Sequence, residues 1–151
     1  MTSQGILPEI EECKNIGDVA NLSFGQGRLT ATPLQIAAVF STIGNGGYYV
    51  EPSLINGFVN RKGNLTNTPT KEKEKILSDS TCDTLKDALC LTTVSGTGIS
   101  AQSTSFSCCA KTATAQSGQF DSDGKEINIC WFVGFFPKEN PQYTICIMKE
   151  N

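Results

Sequence analysis

The sequence predicts an α+β fold, in which two helices are followed by a three-stranded antiparallel meander. Two segments repeat apolar residues at helical spacing behind a capping residue. From residue 105 onwards, three runs are rich in aromatic and β-branched residues, and turn residues separate them. At 151 residues the chain is long enough for one domain with a buried core.

The first predicted helix begins with the letters T-P-L-Q at residues 32–35. Thr32 can cap the helix, the proline suits the first helical position, and Gln35 can return a hydrogen bond to the cap. Glycines between residues 44 and 47 predict the end of this helix. Glycine and proline interrupt residues 1–27 repeatedly, so that segment is predicted to be loop.

The middle of the chain contains the second predicted helix. Residues 48–59 are predicted to be extended, and the charged segment 64–75 is predicted to be a solvated loop. Ser78 offers the N-cap of a helix that should end near Val94. Residues 96–101, G-T-G-I-S-A, match the letters of a dinucleotide-binding fingerprint but follow a helix, so they are predicted to be a flexible loop.

The predicted meander has strands over residues 105–116, 127–136 and 142–149. Asp123 and Gly124 form a good hairpin signal between the first two strands. Prolines at both ends of residues 137–141 predict the second turn.

Composition excludes several classes of function. The net charge is −3, from 12 basic and 15 acidic residues without a one-signed face, which argues against nucleic-acid binding. The absence of histidine excludes a Ser-His-Asp triad, a Cys-His dyad and His-ligated metal sites within this chain. Seven cysteines without a C-x-x-C pair are interpreted mostly as small core residues, so no metal or other cofactor is predicted.

Four sequence blocks occur in an order that is typical of one family. They are residues 24–55, which begin F-G-Q-G-R-L-T-A-T-P-L-Q; S-G-T-G-I-S-A-Q at 95–102; A-K-T-A-T-A-Q-S-G at 110–118; and residues 131–151, which begin W-F-V-G-F-F. In this order they resemble the C-terminal half of the transpeptidase domain of class B penicillin-binding proteins. The resemblance covers roughly residues 20–151 and implies part of the penicillin-binding-protein/β-lactamase-like fold.

The resemblance implies serine acyl transfer on D-Ala-D-Ala stem peptides of peptidoglycan, with β-lactams acylating the same serine. Lys111 and Thr112 match the lysine and hydroxyl of the family's K-T-G motif, and would bind the terminal carboxylate of a stem peptide or a β-lactam. Thr114 matches the residue whose backbone N–H helps to form the oxyanion hole. Ala113 stands where the family usually has glycine, so its methyl group is expected to alter substrate fit.

Two of the family's three motifs are missing. No S-x-N triplet occurs, and the letters S-x-x-K occur only at Ser122–Lys125, in the predicted hairpin turn. The nucleophilic serine of the family begins a helix, which a turn cannot supply. We therefore expect residues 1–151 to be the C-terminal part of a transpeptidase domain, inactive alone because its nucleophile lies in a missing N-terminal half.

Further expectations concern partners and location. Removal of the N-terminal half would leave strand edges and apolar faces open, so self-association is expected. The parent protein is expected to be anchored in the cell membrane, with this domain on the outer side. Two alternatives stay open: part of a β-lactam sensor or class D-type β-lactamase, and a non-catalytic module that binds cell-wall peptide.

Overall fold

The structure is a computed structural model that describes residues 4–69 and 71–150. It has three α-helices, two small two-stranded sheets and a three-stranded antiparallel sheet, which confirms the predicted α+β class. The helices are α1 (Ile16–Ser23), α2 (Pro33–Gly44) and α3 (Asp79–Ser95). The strands are β1 (Tyr48–Val50), β2 (Gly57–Val59), β3 (Leu65–Asn67), β4 (Lys73–Lys75), β5 (Cys109–Phe120), β6 (Glu126–Phe136) and β7 (Tyr143–Glu150).

Helices α2 and α3 begin at the residues that the sequence predicted. The Thr32 hydroxyl accepts a hydrogen bond from the N–H of Gln35, whose side chain accepts one from the N–H of Thr32. Ser78 caps α3 by accepting from the N–H of Thr81 at 3.1 Å. Each cap satisfies a backbone donor that the first helical turn leaves without a partner.

Helix α1 was not predicted. Residues 16–23 form a helix because the Asn15 side chain accepts from the N–H of Asp18, and the Asp18 carboxylate accepts from the N–H of Asn15. This reciprocal cap is a local signal. The glycine at position 17 favoured the prediction of a loop, although glycine lowers the stability of a helix by only about 1 kcal/mol relative to alanine.

The segment 64–75 contains two strands, so the prediction of a loop is wrong there; Thr70 lies outside the described residues. Strand β3 pairs with β2, and β4 pairs with β1, both in antiparallel register. The Asn60 side chain, which accepts from two N–H groups of the β2–β3 turn, holds that hairpin. Both strands are exposed on both faces, so their sequences lack the alternation of apolar and polar residues that predicts a strand.

The main sheet has the order β5-β6-β7, and both pairs are antiparallel. The second and third predicted strands are confirmed within one residue at each end. The first was predicted over 105–116, but it runs from Cys109 to Phe120. Residues before Cys109 are held by other contacts: Thr93 donates to the Cys108 carbonyl at 2.6 Å, and Ser107 donates to the Glu139 carboxylate at 2.7 Å.

The core lies between the main sheet and helices α2 and α3. Phe135 and Cys109, which are opposite each other on β6 and β5, are fully buried and pack with Ile43 of α2. Side chains alternate between the faces of a sheet, so the helices cover the Phe135 face. On the opposite face, Ile145 and Ile147 are 40% and 50% exposed.

The seven cysteines all carry free thiols. Cys82, Cys108 and Cys109 are buried as small core residues, but the other four are only half-buried, so the prediction that most cysteines lie in the core holds for three of the seven. Burial and the neighbouring Cys90 raise the pKa of the Cys109 thiol to about 12. This thiol therefore stays protonated at neutral pH, where it packs as a small apolar group.

An ion pair holds the β6–β7 turn against α3. Lys138 lies 2.7 Å from the Asp87 carboxylate, and its backbone N–H donates to the Ser107 carbonyl. The adjacent Glu139 accepts from the Ser107 hydroxyl, which lowers the pKa of the Glu139 carboxyl. The segment that leads into β5 is thereby tied to both α3 and the end of β6.

Candidate active site

Strand β5 carries the four residues that the sequence singled out. Lys111, Ala113 and Thr114 are exposed and Thr112 is half-buried. In register, Lys111 lies opposite Val133 and Ala113 opposite Trp131. Alternation therefore puts Lys111 and Ala113 on the helix-covered side of the sheet, and Thr112 and Thr114 on the other side.

The open edge of β5 exposes backbone groups beside Lys111. The carbonyls of Thr112 and Thr114, and that of Cys108 just before the strand, accept hydrogen bonds from side chains: the donors are Lys111 at 2.5 Å, Gln26 at 3.5 Å and Thr93 at 2.6 Å. In an antiparallel pair, successive residues bond alternately toward the partner strand and away from it. Thr112 and Thr114 therefore point both their N–H and C=O groups away from β6.

This alternation predicts a pattern of amide hydrogen exchange. We expect the amides of Thr112 and Thr114 to exchange about 100-fold faster than those of Lys111 and Ala113, which bond to β6. Residue-resolved exchange measured by NMR checks this expectation. Equal protection of all four amides would mean that the edge of β5 is paired, and that Thr114 has no N–H to offer a ligand.

Lys111 brings an uncompensated positive charge to this edge. Its ammonium group donates to the Thr112 carbonyl, and within residues 4–69 and 71–150 it joins none of the four ion pairs. The Thr112 hydroxyl lies on the same short segment and can donate one proton. A cation, a hydroxyl and an outward N–H within four residues can together bind a carboxylate and an adjacent carbonyl.

Two residues that were not predicted as site residues also contact β5. Gln26, held between Gly25 and Gly27 at φ +78° and +83°, directs its amide toward the Thr114 carbonyl. The Thr97 hydroxyl lies 2.5 Å from that of Thr112. Their letters, G-Q-G and G-T-G, belong to the first two of the four sequence blocks, but nothing in the sequence placed either side chain at β5.

Gly134 allows β6 to approach β5 closely next to Lys111. It lies opposite Ala110 in a pair that the alternation makes non-hydrogen-bonded, the closer kind of antiparallel pair. A Cβ atom at Gly134 would lie 2.8 Å from the Ala110 Cβ and 2.7 Å from the Cys109 carbonyl oxygen. Any side chain there would push β5, and Lys111 with it, away from the sheet.

Other features of the structure lie apart from this edge. A cavity of about 840 Å³ lies between α2 and residues 50–56, and none of Lys111–Thr114 lines it. Ser122 is in the turn between β5 and β6, so it does not begin a helix. Across the described residues, no three acidic, cysteine or histidine side chains are grouped to hold a metal ion, and no helix is long and apolar enough to cross a bilayer.

Known proteins are similar to this chain in both sequence and fold. A family model described as the penicillin binding protein transpeptidase domain matches residues 2–151. The penicillin-binding protein PbpB of Mycolicibacterium smegmatis is 30% identical over 157 residues, which cover 98% of this chain and 24% of PbpB. The peptidoglycan D,D-transpeptidase MrdA of Acinetobacter baumannii is 29% identical over 146 residues, which cover 89% of this chain and 22% of MrdA.

The solved structures give the same result. The crystal structure of penicillin-binding protein 3 from Mycobacterium tuberculosis, complexed with ampicillin, has a TM-score of 0.82 and 30% identity. The similarity covers 99% of this chain and 34% of that one. The chain thus spans about a quarter of the length of these curated relatives. Because the family match extends over nearly every residue, the chain belongs to the penicillin-binding protein transpeptidase family.

Proposed function

We propose that this chain provides one wall of the active site of a peptidoglycan D,D-transpeptidase. The observation that carries the proposal is the arrangement of Lys111, Thr112 and Thr114 on the open edge of β5, in a member of this family. On this proposal, Lys111 and Thr112 bind the terminal carboxylate of a D-Ala-D-Ala stem peptide or of a β-lactam. The outward N–H of Thr114 is one donor of the oxyanion hole.

The nucleophile and the second oxyanion donor are proposed to come from a preceding segment of the same protein. Its serine attacks the carbonyl of the penultimate D-alanine, the C–N bond breaks, and the terminal D-alanine leaves with a proton. An amine of a neighbouring stem then attacks the ester, forms the cross-link and releases the serine. Residues 1–151 alone are therefore proposed to be inactive, as the C-terminal part of the transpeptidase domain.

Labelling with a fluorescent penicillin tests this proposal. The 151-residue chain and a polypeptide extended by the preceding segment are each incubated with the label, and their intact masses are measured. We expect only the extended protein to gain one adduct, because acylation needs the serine of that segment. Acylation of the 151-residue chain itself would identify a serine among these residues, and would contradict the proposal.

Substitution of Lys111 tests its role in the extended protein. Lys111→Met should slow acylation about 10- to 100-fold, the loss expected for a charge-assisted hydrogen bond to a carboxylate. Lys149→Met is the matched control, because Lys149 is an exposed lysine on β7, two strands away.

Steady hydrolysis of a chromogenic cephalosporin by the extended protein would instead favour a β-lactamase.

The location of the protein is also a proposal. We propose that the longer protein is anchored in the cell membrane and that this domain lies outside it, where peptidoglycan is assembled. Protease treatment of intact spheroplasts tests this, because an outward domain is cleaved and a cytoplasmic one is protected. Protection of the domain until the membrane is lysed is the contrary result.

We propose that the isolated chain self-associates. In the described part of the chain, β5 and β7 are the two edges of the main sheet, and Ile145 and Ile147 are exposed on the face opposite Phe135. Unpaired strand edges and apolar faces both favour pairing with another copy. Size-exclusion chromatography at several concentrations is the test, with a stable monomer at all of them as the contrary result.

A further inference from the structure

Thr97, which lies outside β5, contacts the hydroxyl of Thr112, the group that is proposed to bind a carboxylate. Its Oγ1 lies 2.5 Å from the Oγ1 of Thr112, and either oxygen can be the donor. Thr97 is the middle residue of Gly96-Thr97-Gly98, which directly follows the last turn of α3. A residue of α3's flanking loop therefore reaches the edge of β5 beside Lys111.

The position of Thr97 is fixed by the glycines on either side. The N–H groups of Gly96 and Gly98 both donate to the Thr92 carbonyl, at 3.2 and 3.0 Å. A Cβ atom at Gly96 would lie 2.9 Å from the Thr92 Cα, so the loop lies directly against α3. Thr97 is thus presented to β5 by a short loop that is bonded at both ends.

The direction of this hydrogen bond decides what Thr112 can do. A hydroxyl has one proton, so if Thr112 donates to Thr97, it has none left for a carboxylate. If Thr97 donates to Thr112 instead, the Thr112 proton is free for a ligand. A carboxylate can only accept, so a bound anion selects the second arrangement, in which each hydroxyl polarises the next.

We propose that Thr97 is a positioning residue: its hydroxyl donates to Oγ1 of Thr112, which directs the single Thr112 proton to the carboxylate of the substrate or β-lactam. This inference rests on the proposed function. It concerns a residue 15 positions away from Thr112 that acts only through Thr112. Its effect should therefore appear only with ligands that carry a negative carboxylate.

The test compares acylation of the full-length protein by benzylpenicillin and by its methyl ester, which lacks the charge. Thr97→Val keeps the shape of the side chain but removes the hydroxyl. We expect it to lower the second-order rate constant about five- to tenfold for the acid, and less than about twofold for the ester. Thr97→Ser keeps a hydroxyl, so the acid rate should stay within about twofold of wild type.

A second variant shows whether Thr97 acts through Thr112. In a Thr112→Val background, Thr97→Val should have no further effect on the acid, because the two residues form one chain of hydrogen bonds. An equal loss for acid and ester, or an unchanged acid rate, would overturn the inference and leave the proposed function standing. Failure of the wild-type protein to react with either ligand would overturn the proposed function, and this inference with it.

Discussion

Replacement of Phe135 by alanine is expected to lower the free energy of unfolding by about 3–5 kcal/mol. The ring is fully buried and packs with Ile43 of α2 and Cys109 of β5. It also lies close to Gly44, where a Cβ atom would be only 3.3 Å from the ring. Removal of the ring leaves a cavity where α2 meets the main sheet, and urea denaturation measures the loss.

Phe120→Ala is the matched control, because Phe120 lies at the far end of β5 and is 64% exposed. We expect this variant to change the free energy of unfolding by less than about 0.5 kcal/mol. Similar losses for both variants would mean that the sheet and the helices do not share the core described above.

Replacement of Gly47 by alanine is expected to cost about 3 kcal/mol of stability, from two causes that add. Gly47 has φ +92°, and a Cβ atom there would lie 2.3 Å from the Leu77 carbonyl oxygen. The Gly47 carbonyl also accepts from the N–H groups of Ile76 and Leu77, so the two segments cannot simply move apart. Chemical denaturation again gives the difference.

Gly63→Ala separates the two causes. Gly63 has a similar φ of +82°, but apart from Gly63 and its two chain neighbours no atom lies within 4 Å of the position of a Cβ. Only backbone strain should remain, about 1 kcal/mol. If the two alanine variants lose the same stability, the contact between Gly47 and Leu77 is looser than the structure shows.

Local signals predicted most of the fold. Helices α2 and α3 were predicted because their caps, Thr32 and Ser78, lie within a few residues of the helices that they begin. The β5–β6 hairpin was predicted because Asp123-Gly124 is a local turn signal. Helix α1 has an equally local cap, but it was not predicted, because glycine at position 17 is more typical of a loop than of a helix.

The start of β5 and the contact of Gln26 with Thr114 depend on residues that are distant in the sequence. The start of β5 was predicted four residues too early, because Ser107 is held by Glu139, 32 residues further along the chain. No pattern within the strand itself could show this. Likewise, Lys111 and Thr114 were identified through a family motif, but Gln26 reaches Thr114 across 88 residues, a separation that no local pattern spans.

The outward backbone groups of Thr112 and Thr114 are separated by a fixed distance along β5. Thr112 and Thr114 are two residues apart on an extended strand, so their groups repeat at about 6.8 Å. An extended ligand has the same repeat for every two of its own residues. On the proposed function, the edge of β5 aligns one dipeptide of a peptide main chain and does not distinguish its side chains. On the same proposal, any preference for D-alanine comes from groups other than this backbone.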